Sequence, residues 1–119
     1  MGPYDRYRNS ILDTASMLRR LEEYKCNYDL LLALQRRVVR LICRTERRIV
    51  RLKKLRAALS STKRRGRHAK AKAAAIKTRA KRISTSIETA KHMLFIWRCF
   101  GDGIAFLYID KYALKHMLY

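Results

Sequence analysis

The sequence predicts an all-α protein: a long antiparallel helical hairpin, coiled-coil-like, with an N-terminal packing helix and a short apolar C-terminal helix. Three observations carry this reading. Hydrophobic residues make up 49% of the 119, so the chain is not compositionally disordered. Four glycines and a single proline, Pro3, leave long stretches without a helix breaker. Two apolar runs advance in alternating steps of three and four and are separated by one polar, glycine-bearing segment. This length suits one domain and excludes most enzyme scaffolds. It divides into an N-terminal helix at 1–27, a first arm at 28–60, a basic loop at 61–67, a second arm at 68–100, and a turn with an apolar helix at 101–119.

In the first element, Ile11, Ala15, Leu18 and Leu21 recur at helical spacing, with Asn9 or Ser10 suited to the cap position. This helix is expected to pack on the open end of the hairpin. The first arm presents Leu31, Leu34, Val38, Leu41, Thr45, the misfit Arg48, then Leu52, Leu55 and Leu59. Arg48 is expected to snorkel along the seam while Ile49 rotates in beside it. SSTKRRGR, residues 60–67, supplies turn chemistry. The second arm then runs Ala73, Ile76, Ala80, Ile83, Ile87, Ala90, Leu94 and Trp97 without a break in the alternation.

One antiparallel register, pairing Leu55 with Ala73, Leu52 with Ile76, Leu41 with Ile87, Val38 with Ala90 and Leu31 with Trp97, satisfies every layer but that of Arg48. Arms of about 30 residues at 1.5 Å each give a hairpin of about 45 to 50 Å. Gly101 suits the residue that ends this arm, and Asp102 suits the cap of a last helix over Ile104 to Leu118. That helix is apolar on most faces. It is expected to be covered by the first helix, by a partner, or by residues beyond Tyr119, in which case the chain is the amino-terminal part of a longer protein.

Charge constrains the partner more than any motif does. The chain carries 29 Lys plus Arg against 9 Asp plus Glu, a net charge of +20. Residues 36–82 hold 20 of those bases and one acid, Glu46, which leaves the remaining 72 residues close to neutral. Concentrating like charge in one element costs self-repulsion, so the expected partner is a polyanion. On the first arm Arg37, Arg40, Arg44, Arg47, Arg51 and Lys54 form a stripe one residue behind the seam, about 25 Å long. A merely solvated face would mix signs for pairing one turn apart, and this one does not. The loop and second arm add Lys63, Arg64, Arg65, Arg67, Lys70, Lys72, Lys77, Arg79, Lys81 and Arg82 at intervals of alanine. This Lys/Ala composition is similar to that of the arms of histone-like and linker-histone proteins, a similarity of composition alone. Its apolar stripe is thin, and the tip is expected to fray when free and to order on a polyanion.

Absences sharpen the expectation. No aromatic residue lies between Tyr28 and Phe95, so the basic region offers no ring for an unpaired base to stack on. No Asn or Gln follows Gln35, which removes the usual readers of adenine. The sequence therefore points to backbone phosphates of duplex DNA or structured RNA, bound with little regard to sequence.

Other chemistries find little footing, and the chain is not read as an enzyme. Cys26, Cys43 and Cys99 are odd in number and scattered, which indicates a reducing, intracellular compartment, nucleus or nucleoid and cytoplasm; Cys43 is expected to be a small buried hydrophobe. His92 and Cys99 share a helix face but lack companion ligands, so no metal or other cofactor is expected. Arg98, Asp102, Asp110, Lys111 and Lys115 interrupt the apolar C-terminal segment and argue against a membrane span. Phe100, Ile104, Phe106, Leu107, Tyr108 and Tyr112 are the expected surface for self-association or a protein partner. The competing functional reading is a coiled-coil adaptor whose basic patch serves nuclear import or an acidic partner, or the helical arm of a longer enzyme.

Overall fold

Where the sequence lacks breakers, the backbone is helical. The computed structural model describes residues 2–24, 28–61 and 69–108, and three helices account for nearly all of them: α1 (Arg8–Tyr24), α2 (Tyr28–Ser60) and α3 (Ala69–Tyr108). A 3₁₀ turn, Asp5–Tyr7, leads into α1. Its start is fixed by Asp5, whose amide donates to Gly2 O and whose Oδ2 accepts from Gly2 N at 2.6 Å. Neither Asn9 nor Ser10 is a cap, because the helix is already under way at Arg8.

α2 and α3 pack along their length as the expected antiparallel hairpin. On α2 the buried positions are Leu31, Leu34, Val38, Leu41, Thr45, Ile49 and Leu52. Two successive steps of four, Leu41 to Thr45 to Ile49, shift the seam by one residue, a stutter in the heptad pattern. Arg48 is accordingly half-buried and Ile49 fills the seam, as expected. The shift also turns Leu55 outward, 48% exposed, and brings Arg56 inward to donate to Ser84 Oγ at 3.3 Å. On α3 the seam runs Ile83, Ile87, Ala90, Leu94, Trp97, Gly101 and Ile104 in strict alternation.

The pairing register differs from the expected one by three helical turns. Val38 faces Gly101 rather than Ala90, Ala90 packs against Ile49, and Leu52 packs against Ile83 and Ile87. An eleven-residue repeat in α2 explains why the seam alone admits both answers: Arg36-Arg37-Val38-Val39-Arg40-Leu41 returns as Arg47-Arg48-Ile49-Val50-Arg51-Leu52. Eleven residues are three turns, so the slide presents Ile49 where Val38 was and Leu52 where Leu41 was. Charge separates the two arrangements. In the expected register the arginine-rich part of α2 would lie beside Lys72, Lys77, Arg79, Lys81 and Arg82; in the observed one it lies beside a stretch of α3 where Lys91 and Arg98 are balanced by Glu88 and Asp102.

The shifted register needs α3 to continue past residue 100, and it does. The Gly101-Asp102-Gly103 segment is helical, with Gly101 in the seam and Asp102 exposed on the surface, so neither residue ends or caps a helix. A Cβ at Gly101 would meet Val38 Cγ1 at 3.5 Å and Ile42 Cδ1 at 3.9 Å, ordinary contact distances that place Gly101 against the α2 side of the seam. A separate C-terminal helix beginning at Ile104 is therefore not seen over the described residues; residues 109–119 of that element lie outside them.

Tyr7, Leu34, Val38, Leu41, Met93, Trp97 and Ile104 form the base of the core, with Met17, Ile42, Ile96 and Phe100 against it. The leading turn contributes Tyr7 and α1 contributes Thr14 and Met17, a face rotated from the expected Ile11–Ala15–Leu18 line; Ile11 is 37% exposed and the side chains of Leu18 and Leu21 lie outside the described set. Asp13 accepts from Arg37 Nη2 at 2.9 Å and Tyr4 OH meets His92 Nδ1, so α1 and its leading turn are tied to both arms. Toward the hairpin tip full burial ends at Leu52 and Ile83.

Candidate nucleic-acid interface

The shifted register decides where the cations stand. Arg40, Arg44, Arg47, Arg51 and Lys54 are exposed along α2, joined by Arg36 and Lys53. Lys70, Lys72, Lys77, Arg79, Lys81 and Arg82 are exposed on the first half of α3. Ser60 lies beside Ala73, Ala74, Ile76, Lys77 and Ala80, so the basic half of α3 runs past the end of α2 instead of along its arginines. The two cation sets follow one another along the rod. From the level of Arg37 near Asp102 to Lys70 is about 48 Å of helix, which matches about 14 base pairs of B-form duplex.

Arg37 departs from the set. It is half-buried, its Nη2 is engaged by Asp13 and its Nε is buried without a hydrogen-bond partner, so it anchors α1. Glu46, the one acid of the region, is held by Arg98 at 3.2 Å, a cation from outside it. The remaining stripe is thus uncompensated by any ion pair among the described residues other than that of Arg37. Arg48 and Arg56 are half-buried and serve the seam. Lys63, Arg64, Arg65 and Arg67 lie outside the described residues; the rest of the segment expected to fray when free, residues 69–82, is instead helical as the first turns of α3.

The expected protein-partner surface divides. Ile104 is buried at 2% in the chain's own core and Phe100 is half-buried against it, so neither is a free contact. The side chains of Phe106, Leu107 and Tyr108, and all of Tyr112, lie outside the described residues. Sequence reasoning missed the apolar residues exposed elsewhere: Phe95 at 66%, Val50 at 52% and Val39 at 46%. The eleven-residue repeat was the available signal for the two valines.

Cys43 is exposed rather than buried, because two residues past Leu41 and two before Thr45 it falls on the face of α2 opposite the seam; Cys99 is exposed too. His92 is engaged by Tyr4, with ring centroids 5.7 Å apart in an edge-on arrangement, and no group of three or more His, Cys, Asp or Glu that could hold a metal exists among the described residues. No described helix is long and apolar enough to cross a membrane. No family model, no curated protein and no solved structure matches the chain.

Proposed function

We propose that the protein is a non-enzymatic nucleic-acid-binding module that grips backbone phosphates through its basic hairpin. The observation that carries the reading is the succession of exposed cations over about 48 Å of the hairpin, in which the one acid of residues 36–82, Glu46, is already paired. Mutual repulsion favours separating these cations, and folding instead lines them up along one rod. A phosphate backbone is the polyanion whose charge repeats over such a length, with one charge per about 1.7 Å of duplex axis. Contacts of this kind position a protein on a duplex or structured RNA without reading its sequence. Exposed alanines between the cations, Ala71, Ala74 and Ala75, leave the Lys and Arg heads unobstructed.

The test is a fluorescence-anisotropy titration of the whole chain with a short duplex DNA and a hairpin RNA, repeated across salt concentrations. Affinity falls linearly on a log–log plot with a slope near 0.9 per phosphate contact. Exchanging Arg40, Arg44, Arg47 and Arg51 for Glu abolishes binding at moderate salt while circular dichroism shows helicity intact. Survival of binding in that variant would place the site elsewhere.

A further inference from the structure

The eleven-residue repeat builds a surface whose apolar part phosphate binding does not use. Val39 lies in a shallow depression of α2 lined by Ala33, Gln35, Arg36 and Arg40; Val50 lies in a second one lined by Cys43, Glu46, Arg47 and Arg51. Four of the lining positions correspond at an offset of eleven: Gln35 with Glu46, Arg36 with Arg47, Val39 with Val50 and Arg40 with Arg51. Three turns separate the two, about 16 Å along the axis and on one face. Both valines are about half exposed, and both lie well round the helix from the Thr45 seam, away from α3.

Each depression has an apolar floor and two arginines on its rim; the second also has Glu46 there, whose carboxylate Arg98 engages. A phosphate over a valine would lose water without gaining a donor, so the floors are wasted on a nucleic-acid backbone. A second copy of this face would oppose arginine to arginine. The chemistry that fits is a side chain with an apolar foot flanked by carboxylates, presented twice at three-turn spacing.

We propose that this face of α2 docks an acidic amphipathic helix of a partner protein. Apolar side chains eleven residues apart seat over Val39 and Val50, and Asp or Glu side chains one turn to either side pair with Arg36 and Arg40 and with Arg47 and Arg51. The docking stands apart from the nucleic-acid reading in its floor residues and shares Arg40, Arg47 and Arg51 with it, so the two ligands compete.

The probe is a labelled synthetic helical peptide with two leucines eleven residues apart, each bracketed by glutamates, titrated by anisotropy against the whole chain. Its control carries Ser for both leucines at the same charge. The expected result is saturable binding at least tenfold tighter for the leucine peptide, reduced at least tenfold by Val39→Ser with Val50→Ser. Both positions are exposed, so circular dichroism of that variant stays unchanged. Equal binding of the two peptides would show charge attraction alone and overturn the proposal. So would a double variant that loses duplex DNA binding in the same proportion as peptide binding, because the face would then belong to the nucleic-acid surface. Peptide binding that persists where duplex binding fails would support the docking and sink only the phosphate reading.

Discussion

Gly101 and Gly103 look alike in sequence and have different surroundings. Beside Gly101 the nearest side-chain atom to a built Cβ is Val38 Cγ1 at 3.5 Å, ordinary contact; beside Gly103 there is nothing within 4 Å. Both lie within α3, where glycine costs about 0.5 to 1 kcal/mol relative to alanine. Gly103→Ala is therefore expected to stabilise by about that amount, raising the melting temperature by several degrees in thermal circular dichroism. A helix-ending glycine would respond with a loss, so the sign distinguishes a continuous α3 from a turn at this point. Gly101→Leu is expected to destabilise instead by about 1 to 3 kcal/mol, since the added atoms must displace Val38 or Ile42. Trp97 is 1% exposed and the largest fully buried side chain; Trp97→Ala is expected to cost about 3 to 5 kcal/mol by denaturant titration. Cys43 and Cys99, both exposed and unpaired, are expected to react with a thiol reagent without denaturant.

Each helix was legible as an element because its apolar spacing and lack of breakers are local properties, and local properties survive in a linear string. Register is not local. α2 repeats Arg-Arg-Val-Val-Arg-Leu as Arg-Arg-Ile-Val-Arg-Leu, so sliding the arms by three turns exchanges one apolar layer for its near-copy. The information that selects between them is long-range charge: the observed slide moves the arginines of α2 away from Lys72 to Arg82 and toward a neutral stretch. The same seam continues through Gly101 and Ile104, which was readable, but a Gly-Asp-Gly string has the chemistry of a turn, and only the burial of Gly101 against Val38 shows that packing prevailed. For the site, the cations were legible by composition and the loss of Arg37 to Asp13 was not, because α1 contacts it across 24 residues. Spin labels at Arg56→Cys and Ser84→Cys, with Cys26, Cys43 and Cys99 changed to Ser, check the register. They are expected to report near neighbours by electron–electron resonance, whereas the alternative would set them about 18 Å apart along the axis.

A rod 77 Å long and 28 by 15 Å across exposes most of its residues, so little of its charge is shielded by bulk. Of its net +20, nearly all sits between residues 36 and 82. The unfolded chain can spread those charges apart, whereas the folded rod fixes them close together along two helices, so repulsion opposes folding. The ion pairs available against it are Arg37–Asp13, Lys91–Glu88 and Arg98–Glu46 among the described residues, all substantially exposed, each worth about 0 to 1 kcal/mol. Core burial at the base, from Leu34 to Ile104, must therefore outweigh a repulsion centred nearer the tip, where full burial ends at Leu52 and Ile83. Salt should act on the two in opposite ways to its usual reputation. It screens repulsion over a Debye length that falls from about 30 Å at 0.01 M to about 10 Å at 0.1 M, and it has only three exposed attractions to weaken. The melting temperature is accordingly expected to rise with potassium chloride over that range, while affinity for duplex DNA falls. A short polyphosphate at low salt should raise it further, because an anion bound across these cations neutralises the repulsion and binds the folded rod preferentially. Thermal circular dichroism across that series checks both, and a melting temperature that falls with salt would mean that attraction, not repulsion, governs the rod.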